Sequence, residues 1–296
     1  MGKPRRSAFS LRDLLDIHLH PPMATANPSS DTHIHTVIVV GAGFAGVGAA
    51  IALRKAGIDF LMLEKASEPG GVWRDNTYPD CACDIPSSFY SYSFAPNPRW
   101  SRMFARQEEI KAYCGDTVSR LGLLPHLRLN CEMHKAHWNE AEKLWQLDTS
   151  LGLLRTRFVV MACGPMHVPV TPDIPGLESF TGTHFHSARW RHDVDLAGKR
   201  VAVVGSGASA IQFVPAIAPQ VAQLTLFQRT APWVLAKMDF HITEQWQNRF
   251  ARFPWLQNLL RRALYLQFEF SSVPTFFRGG RAVEAQILNF CRARVA

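Results

Sequence analysis

Three groups of residues in this sequence could do chemistry, and the first is built to hold phosphate. Gly41-Ala42-Gly43-Phe44-Ala45-Gly46 follows directly on Val37-Ile38-Val39-Val40, and Glu64 lies 23 residues beyond Gly41. In such a pattern Gly41 allows a tight turn, Gly43 lets backbone approach a pyrophosphate, and Gly46 lets a helix pack close on a strand. A carboxylate at Glu64 can accept hydrogen bonds from both ribose hydroxyls of an adenosine. The second group repeats the first: Gly205-Ser206-Gly207-Ala208-Ser209-Ala210 follows Arg200–Val204, and Gln228-Arg229-Thr230 stands where the first group has its acid. An acid favours a free ribose diol and repels a 2′-phosphate, whereas Arg229 offers that phosphate a charge-assisted bond. Two different dinucleotides follow from the contrast, FAD in the first cradle and NADPH in the second. The third group is Gly70-Gly71-Val72-Trp73-Arg74 with Tyr78 to Pro86, where turn formers and aromatics mix as in a loop lying over a flat ring system.

The elements that must carry these groups are legible nearby. Four β-branched residues without polar alternation, Val37 to Val40, suit a strand buried on both faces. An Ala-rich helix runs to Gly57, and the apolar strand 59–63 delivers Glu64. Helical spacing over Gln107–Leu121 brings Ile110, Tyr113, Cys114 and Val118 to one face. Leu127–His137, Leu144–Asp148 and Arg155–Ala162 read as strands, a small antiparallel meander inserted into a parallel-sheet domain. Beyond Pro232 the spacing of Leu256, Leu259, Leu260, Ala263, Leu264 and Phe268 predicts a helix packed on the second domain, with Arg261 and Arg262 on its other side. Arg281–Ala296 begins another such helix.

The expected architecture is therefore α/β, with two Rossmann-like dinucleotide-binding domains, the meander and a helical insertion. Residues 1–35 form a tail in this reading, 36–165 the FAD domain, 166–197 a Pro-rich linker and 198–296 the NADP domain. The 296 residues suffice for two cores. The net charge of +8 comes from scattered basic residues, which fits anionic cofactors better than nucleic acid. The uncharged run Val37–Leu53 contains four glycines and the fingerprint, so it reads as strand and helix rather than a membrane span. Among six cysteines, Cys81-x-Cys83 is too tight for a redox pair, which suits buried thiols in a cytoplasmic protein. The histidines show no His-x-x-x-His spacing with a carboxylate, and no metal is expected.

Phe180-x-Gly182-x-x-x-His186-x-x-x-Trp190 resembles the signature of Baeyer–Villiger monooxygenases. Gly70-Gly71-x-Trp73 with Tyr78-Pro79 and Asp84 resembles their second, longer signature, and the likeness covers about residues 36–290. Related N- and S-oxidising flavin monooxygenases usually carry Tyr or Phe in place of Trp190. Arg191 stands where the signature has Pro or Asp, and Asp80 where the longer one has Gly or Met. The resemblance implies that NADPH reduces FAD and that the reduced flavin uses O₂ to insert oxygen next to the carbonyl of a small-molecule ketone. It places Gly71, Val72, Trp73, Asp84, Ile85 and Tyr90 at the flavin. Asp84 has a catalytic role there, orienting an arginine that the family supplies later in its chain. It also makes Phe180, Gly182, His186 and Trp190 a hinge that couples nicotinamide binding to domain rotation. Family chains continue well past the helical region, so the resemblance implies a C-terminally truncated member with an incomplete active site. Two rivals are a flavin monooxygenase acting on amines or sulfides, and a non-catalytic nucleotide-binding fragment.

Overall fold

A computed structural model describes residues 33–232 and 237–276, with side chains as far as residue 270. The tail, residues 233–236 and the helix read over Arg281–Ala296 lie outside the described residues, apart from residues 33–35 at the end of the tail. Strand β1 (Ile34–Val40) starts three residues earlier than the apolar run suggests. It lies between β2 (Phe60–Leu63) and β6 (Gly152–Met161), parallel to both. With β3 (Leu127–Arg128), β4 (Met133–Asn139) and β5 (Leu144–Thr149), the order across the sheet is β3-β2-β1-β6-β5-β4.

Side chains of β1 alternate between two apolar layers. Val37 and Val39 pack with Val47, Ala50 and Ile51 of α1 (Phe44–Lys55) and with Cys114 and Val118 of α3 (Gln107–Arg120). Ile38 and Val40 pack with Leu61, Leu63, Leu147 and Leu154 on the opposite face. Burial on both faces is the physical reason for the unbroken β-branched run. A short helix α2 (Val72–Asp75) follows β2.

The strand read over Leu127–His137 is two strands. Asn130 turns the chain with φ of +53°, a left-handed conformation that Asn tolerates better than most residues, and its N–H donates to Ala66 O. β3 therefore joins β2, while β4 joins the meander. β6 serves both halves of the sheet: residues 152–156 pair antiparallel with β5, and residues 155–161 pair parallel with β1.

The second unit has two strands among the described residues, β7 (Arg200–Val204) and β8 (Gln223–Phe227), parallel and joined by α4 (Ala208–Ile217). The helices that follow, α5 (Glu244–Arg252) and α6 (Pro254–Phe276), correct the expectation that they pack on this unit. They lie on the first. Gln257 donates to Asn97 O at 2.6 Å, and Phe89 stacks on Phe268 with centroids 5.7 Å apart. Arg261, expected on the solvent side, turns inward and donates to the carbonyls of Ser88, Phe89 and Ser91 at 2.8–3.1 Å. A guanidinium can serve several acceptors at once, and a turn with three inward carbonyls needs such a donor. No helix among the described residues is long and apolar enough to cross a membrane.

Candidate functional site

A cavity of about 330 Å³ opens at the C-terminal ends of β1, β2 and β6. Gly41, Gly43, Ala45, Glu64, Gly71, Val72, Trp73 and Tyr90 line it, as does the 162–167 segment after β6. Parallel sheets place ligand crevices at this end, because the βα turns there carry the exposed helix N-termini.

Gly41 has φ of +106°, and a Cβ there would stand 2.6 Å from Ala162 O, so only glycine makes this turn. Its N–H donates to Leu63 O at 2.7 Å, tying the turn to β2. Gly43 precedes the first turn of α1, and a Cβ on it would meet Gly71 Cα at 3.6 Å. The two glycine-rich turns thus face one another across a gap a side chain would narrow. Gly46 lies behind the cavity rather than in it: a Cβ on it would be driven into Gly41 O. That is the close helix–strand packing expected of a third glycine.

Glu64 follows directly on β2 and is 5% exposed. Its Oε2 accepts from Ala42 N–H at 2.9 Å, and its Oε1 from Ala66 N–H at 3.0 Å and Arg74 Nη1 at 2.8 Å. The carboxylate therefore organises the cradle's own backbone as well as facing the cavity, a task the spacing did not disclose. Arg74 also forks onto Asp75. Burial works against the guanidinium charge, and the Asp75 and Glu64 carboxylates more than offset it, so its pKa lies above the ordinary value. Breaking a buried pair costs about 3–5 kcal/mol when one charge is left alone. Asp75 remains beside Arg74, so Glu64→Gln is expected to cost about 3 kcal/mol, read as a shift in the denaturant midpoint at constant slope.

Aromatic rings form one wall. Trp73 Nε1 donates to Tyr90 OH at 2.9 Å, and Phe44 lies 5.0 Å from the Tyr90 ring. Burial raises the Tyr90 pKa, so its hydroxyl stays protonated. Ile85 and Asp84 lie outside the cavity lining. Ile85 packs with Trp100 and Tyr113. Asp84 Oδ1 accepts from Gln212 Nε2 at 3.0 Å and Lys237 Nζ at 3.2 Å, two partners that sequence reasoning missed.

Gln212, on α4, is the principal join between the two units. Its Oε1 accepts from Ala82 N–H and its Nε2 donates to Ala82 O, both at 3.0 Å. On the other side of the same extended segment, Cys83 N donates to Ala105 O and Gln107 N to Cys81 O. Residues 81–83 are thus paired by the first unit on one edge, while Gln212 serves Ala82 and Lys237 Nζ donates to Cys83 O at 2.8 Å. Around this join, Tyr78 and Cys81 pack with Val203, Ala210, Phe213 and Ile217.

The second cradle repeats the first in backbone geometry. Gly205 has φ of +104° and donates to Phe227 O at 2.8 Å, and Gly207 precedes α4. Ser206 lies on this turn, Ala208 and Ser209 open α4, and Ala210 is buried at the join. Arg229 and Thr230 are exposed just beyond β8. Of the four expected hinge residues, Trp190 packs between Phe185 and Phe213, at 5.3 and 5.2 Å. His186 Nδ1 accepts from Ala188 N–H at 3.1 Å. A Cβ at Gly182 would strike the Phe180 ring, whose side chain is largely exposed. Asp80 takes φ of +62°, where the longer signature has Gly or Met, and Arg106 bonds both its carbonyl and its carboxylate.

Residues 38–258 match the family model described as pyridine nucleotide-disulphide oxidoreductase. The chain belongs to this family. Its branch is that of the Baeyer–Villiger monooxygenases: it is 54% identical over 209 residues to one from Streptomyces coelicolor and 51% over 231 residues to one from Pseudomonas aeruginosa. These alignments cover 70% and 77% of this chain but 40% and 44% of the relatives, so the chain spans less than half their length. Among solved structures, an oxidized steroid monooxygenase bound to NADP is similar with TM-score 0.67 and 39% identity, covering 74% of this chain and 43% of that one. A cyclohexanone monooxygenase with bound ε-caprolactone is similar with TM-score 0.69 and 32% identity, over 74% and 44%. Disulfide chemistry, which the family description mentions, finds no activated thiol at the join. Cys81 and Cys83 are buried, and burial pushes the Cys83 thiol up to about 11.

Proposed function

We propose that this chain carries the cofactor seats of a Baeyer–Villiger monooxygenase that takes FAD, NADPH, O₂ and a small ketone. FAD occupies the cavity of residues 36–165, NADPH the cradle within 198–296, and residues 166–197 act as the hinge. The observation that carries this reading is the pair of matching turns with opposite ends. Gly41 and Gly205 make the same left-handed turn and the same bond to the neighbouring strand, while a carboxylate closes one cradle and a guanidinium follows the other. The residues suit the groups: Gly41 and Gly43 leave backbone N–H groups at the start of a twelve-residue helix, where phosphate is favoured.

When bound, FAD supplies the redox and oxygen chemistry, and the protein supplies placement. Glu64 holds the ribose, Trp73 and Tyr90 exclude water from the ring face, and Asp84 stands between Gln212 and Lys237 with its carboxylate oriented. Trp190 favours ketone over amine or sulfide oxygenation on the resemblance. Buried, protonated thiols support a reducing compartment such as the cytoplasm.

The test is nucleotide preference of the full chain. NADPH is expected to bind more tightly than NADH. Arg229→Ala should weaken NADPH by roughly 10- to 100-fold, the worth of one charged hydrogen bond, while leaving NADH nearly unchanged. Equal loss for both nucleotides would overturn the assignment of Arg229 to a 2′-phosphate.

A further inference from the structure

The end of the sheet opposite the first cradle carries a second cluster. His33 and His35 flank the start of β1, and Asp59 immediately precedes β2. Residues two apart along an extended chain point to the same side, so both imidazoles reach one face. Strand pairing brings the carboxylate there, since Val37 N donates to Asp59 O at 3.2 Å. Asp59 Oδ2 lies 3.6 Å from His33 Nε2 and 3.8 Å from His35 Nδ1, and the three ligand atoms stand within 4.8 Å of one another.

These separations exceed the ~3.2 Å limit of a good N–H···O hydrogen bond. They approach the ~3.3 Å edge between two donors that each lie about 2.0–2.1 Å from a tetrahedral ion. Thr36 N–H donates to the same Oδ2 at 3.1 Å, fixing the carboxylate as an outer partner fixes a metal ligand. His35 is nearly buried, while His33 and Asp59 are more than half exposed, so the cluster has one anchored ligand and an open approach.

We propose that His33, His35 and Asp59 bind a divalent transition metal of the Zn²⁺ class, with water completing the tetrahedron. Two imidazoles and a carboxylate suit Zn²⁺ better than Mg²⁺ or Ca²⁺, which prefer all-oxygen shells. The ion would clamp the start of β1 to the start of β2. A search for helical His-x-x-x-His spacing passes over it, because the ligands come from strand spacing and a neighbouring strand.

The experiment is calorimetric titration of Zn²⁺ into the chelator-treated full chain. One equivalent should bind, and His33→Gln and Asp59→Asn should each weaken it at least ~10-fold, the loss that even an outer partner costs. Asn at position 59 keeps an acceptor for Thr36 N–H, and the metal-free melting temperature of both variants shows that the fold is intact. The tail holds a rival pair, His18 and His20, in the same spacing. A double His18→Gln, His20→Gln variant should bind Zn²⁺ as the parent does. Affinity lost in that variant, or unmoved in both site variants, would overturn the proposal.

Discussion

Gly46→Val is expected to leave the chain unable to form its first nucleotide cradle. The helix α1 lies so close to the turn before it that any Cβ at position 46 enters the Gly41 carbonyl oxygen and comes within 2.9 Å of its carbon. Neither atom can yield. Gly41 is held by its bond to Leu63 O and backed by Ala162, so relief requires α1 to move away from β1. That motion would open the layer containing Val47, Ala50 and Ile51, which is packed to exclude water. Overpacking a well-filled core costs about 1–3 kcal/mol and more where backbone is the obstacle. The measurements are the denaturant midpoint and flavin retained on the purified protein. The midpoint should fall by several-fold more than for Gly115→Ala, a position inside α3 whose Cβ meets nothing within 4 Å, and flavin binding should vanish. Unchanged flavin content would show that the helix does not need this approach.

Gln212→Leu is expected to loosen the two units from each other while each keeps its own strands. Leucine fills similar space but offers neither half of the pair to Ala82, leaving its N–H and C=O unpaired at a buried position. Two such groups cost roughly 2–4 kcal/mol together. Asp84 also loses its donor at 3.0 Å and keeps Lys237 at 3.2 Å. Gln212→Glu is the informative contrast. It still accepts from Ala82 N–H, yet it cannot donate to Ala82 O and sets a like charge 3.0 Å from Asp84. Hydrogen exchange should be faster at Ala82 in the Leu variant than in the Glu variant, which keeps the acceptor, with Cys83 N–H, which is bonded within the first unit, much less affected. Equal exchange at the two amides would mean that the units are held by their apolar contacts alone.

Much of this site is legible in the sequence because its causes are local. Gly41 and Gly205 must turn left-handed, Gly46 must admit a strand, and Glu64 must follow a four-residue strand; each demand falls within about 25 residues of chain. What escaped the sequence comes from distant partners. Nothing in the pattern around Gln212 distinguishes it from a solvent-facing helix residue, yet it is matched to Ala82, 130 positions earlier. Arg261 reads as the polar side of an amphipathic helix until the carbonyls of Ser88, Phe89 and Ser91 are placed beneath it. Asn130 shows the middle case: an αL-tolerant residue was visible inside an apparent strand, and it ends one strand and starts the approach to another.

The shared strand β6 has a consequence for the first glycine turn. Arg155 and Thr156 are registered against β1 on one edge and against β5 on the other, so the hairpin at 150–151 and the turn at Gly41 read off a single ruler. Sliding that ruler by one notch would invert which faces of β6 meet the two apolar layers, and would carry Ala162 out from behind Gly41. The outlying meander therefore sets the alignment of the phosphate turn from across the sheet.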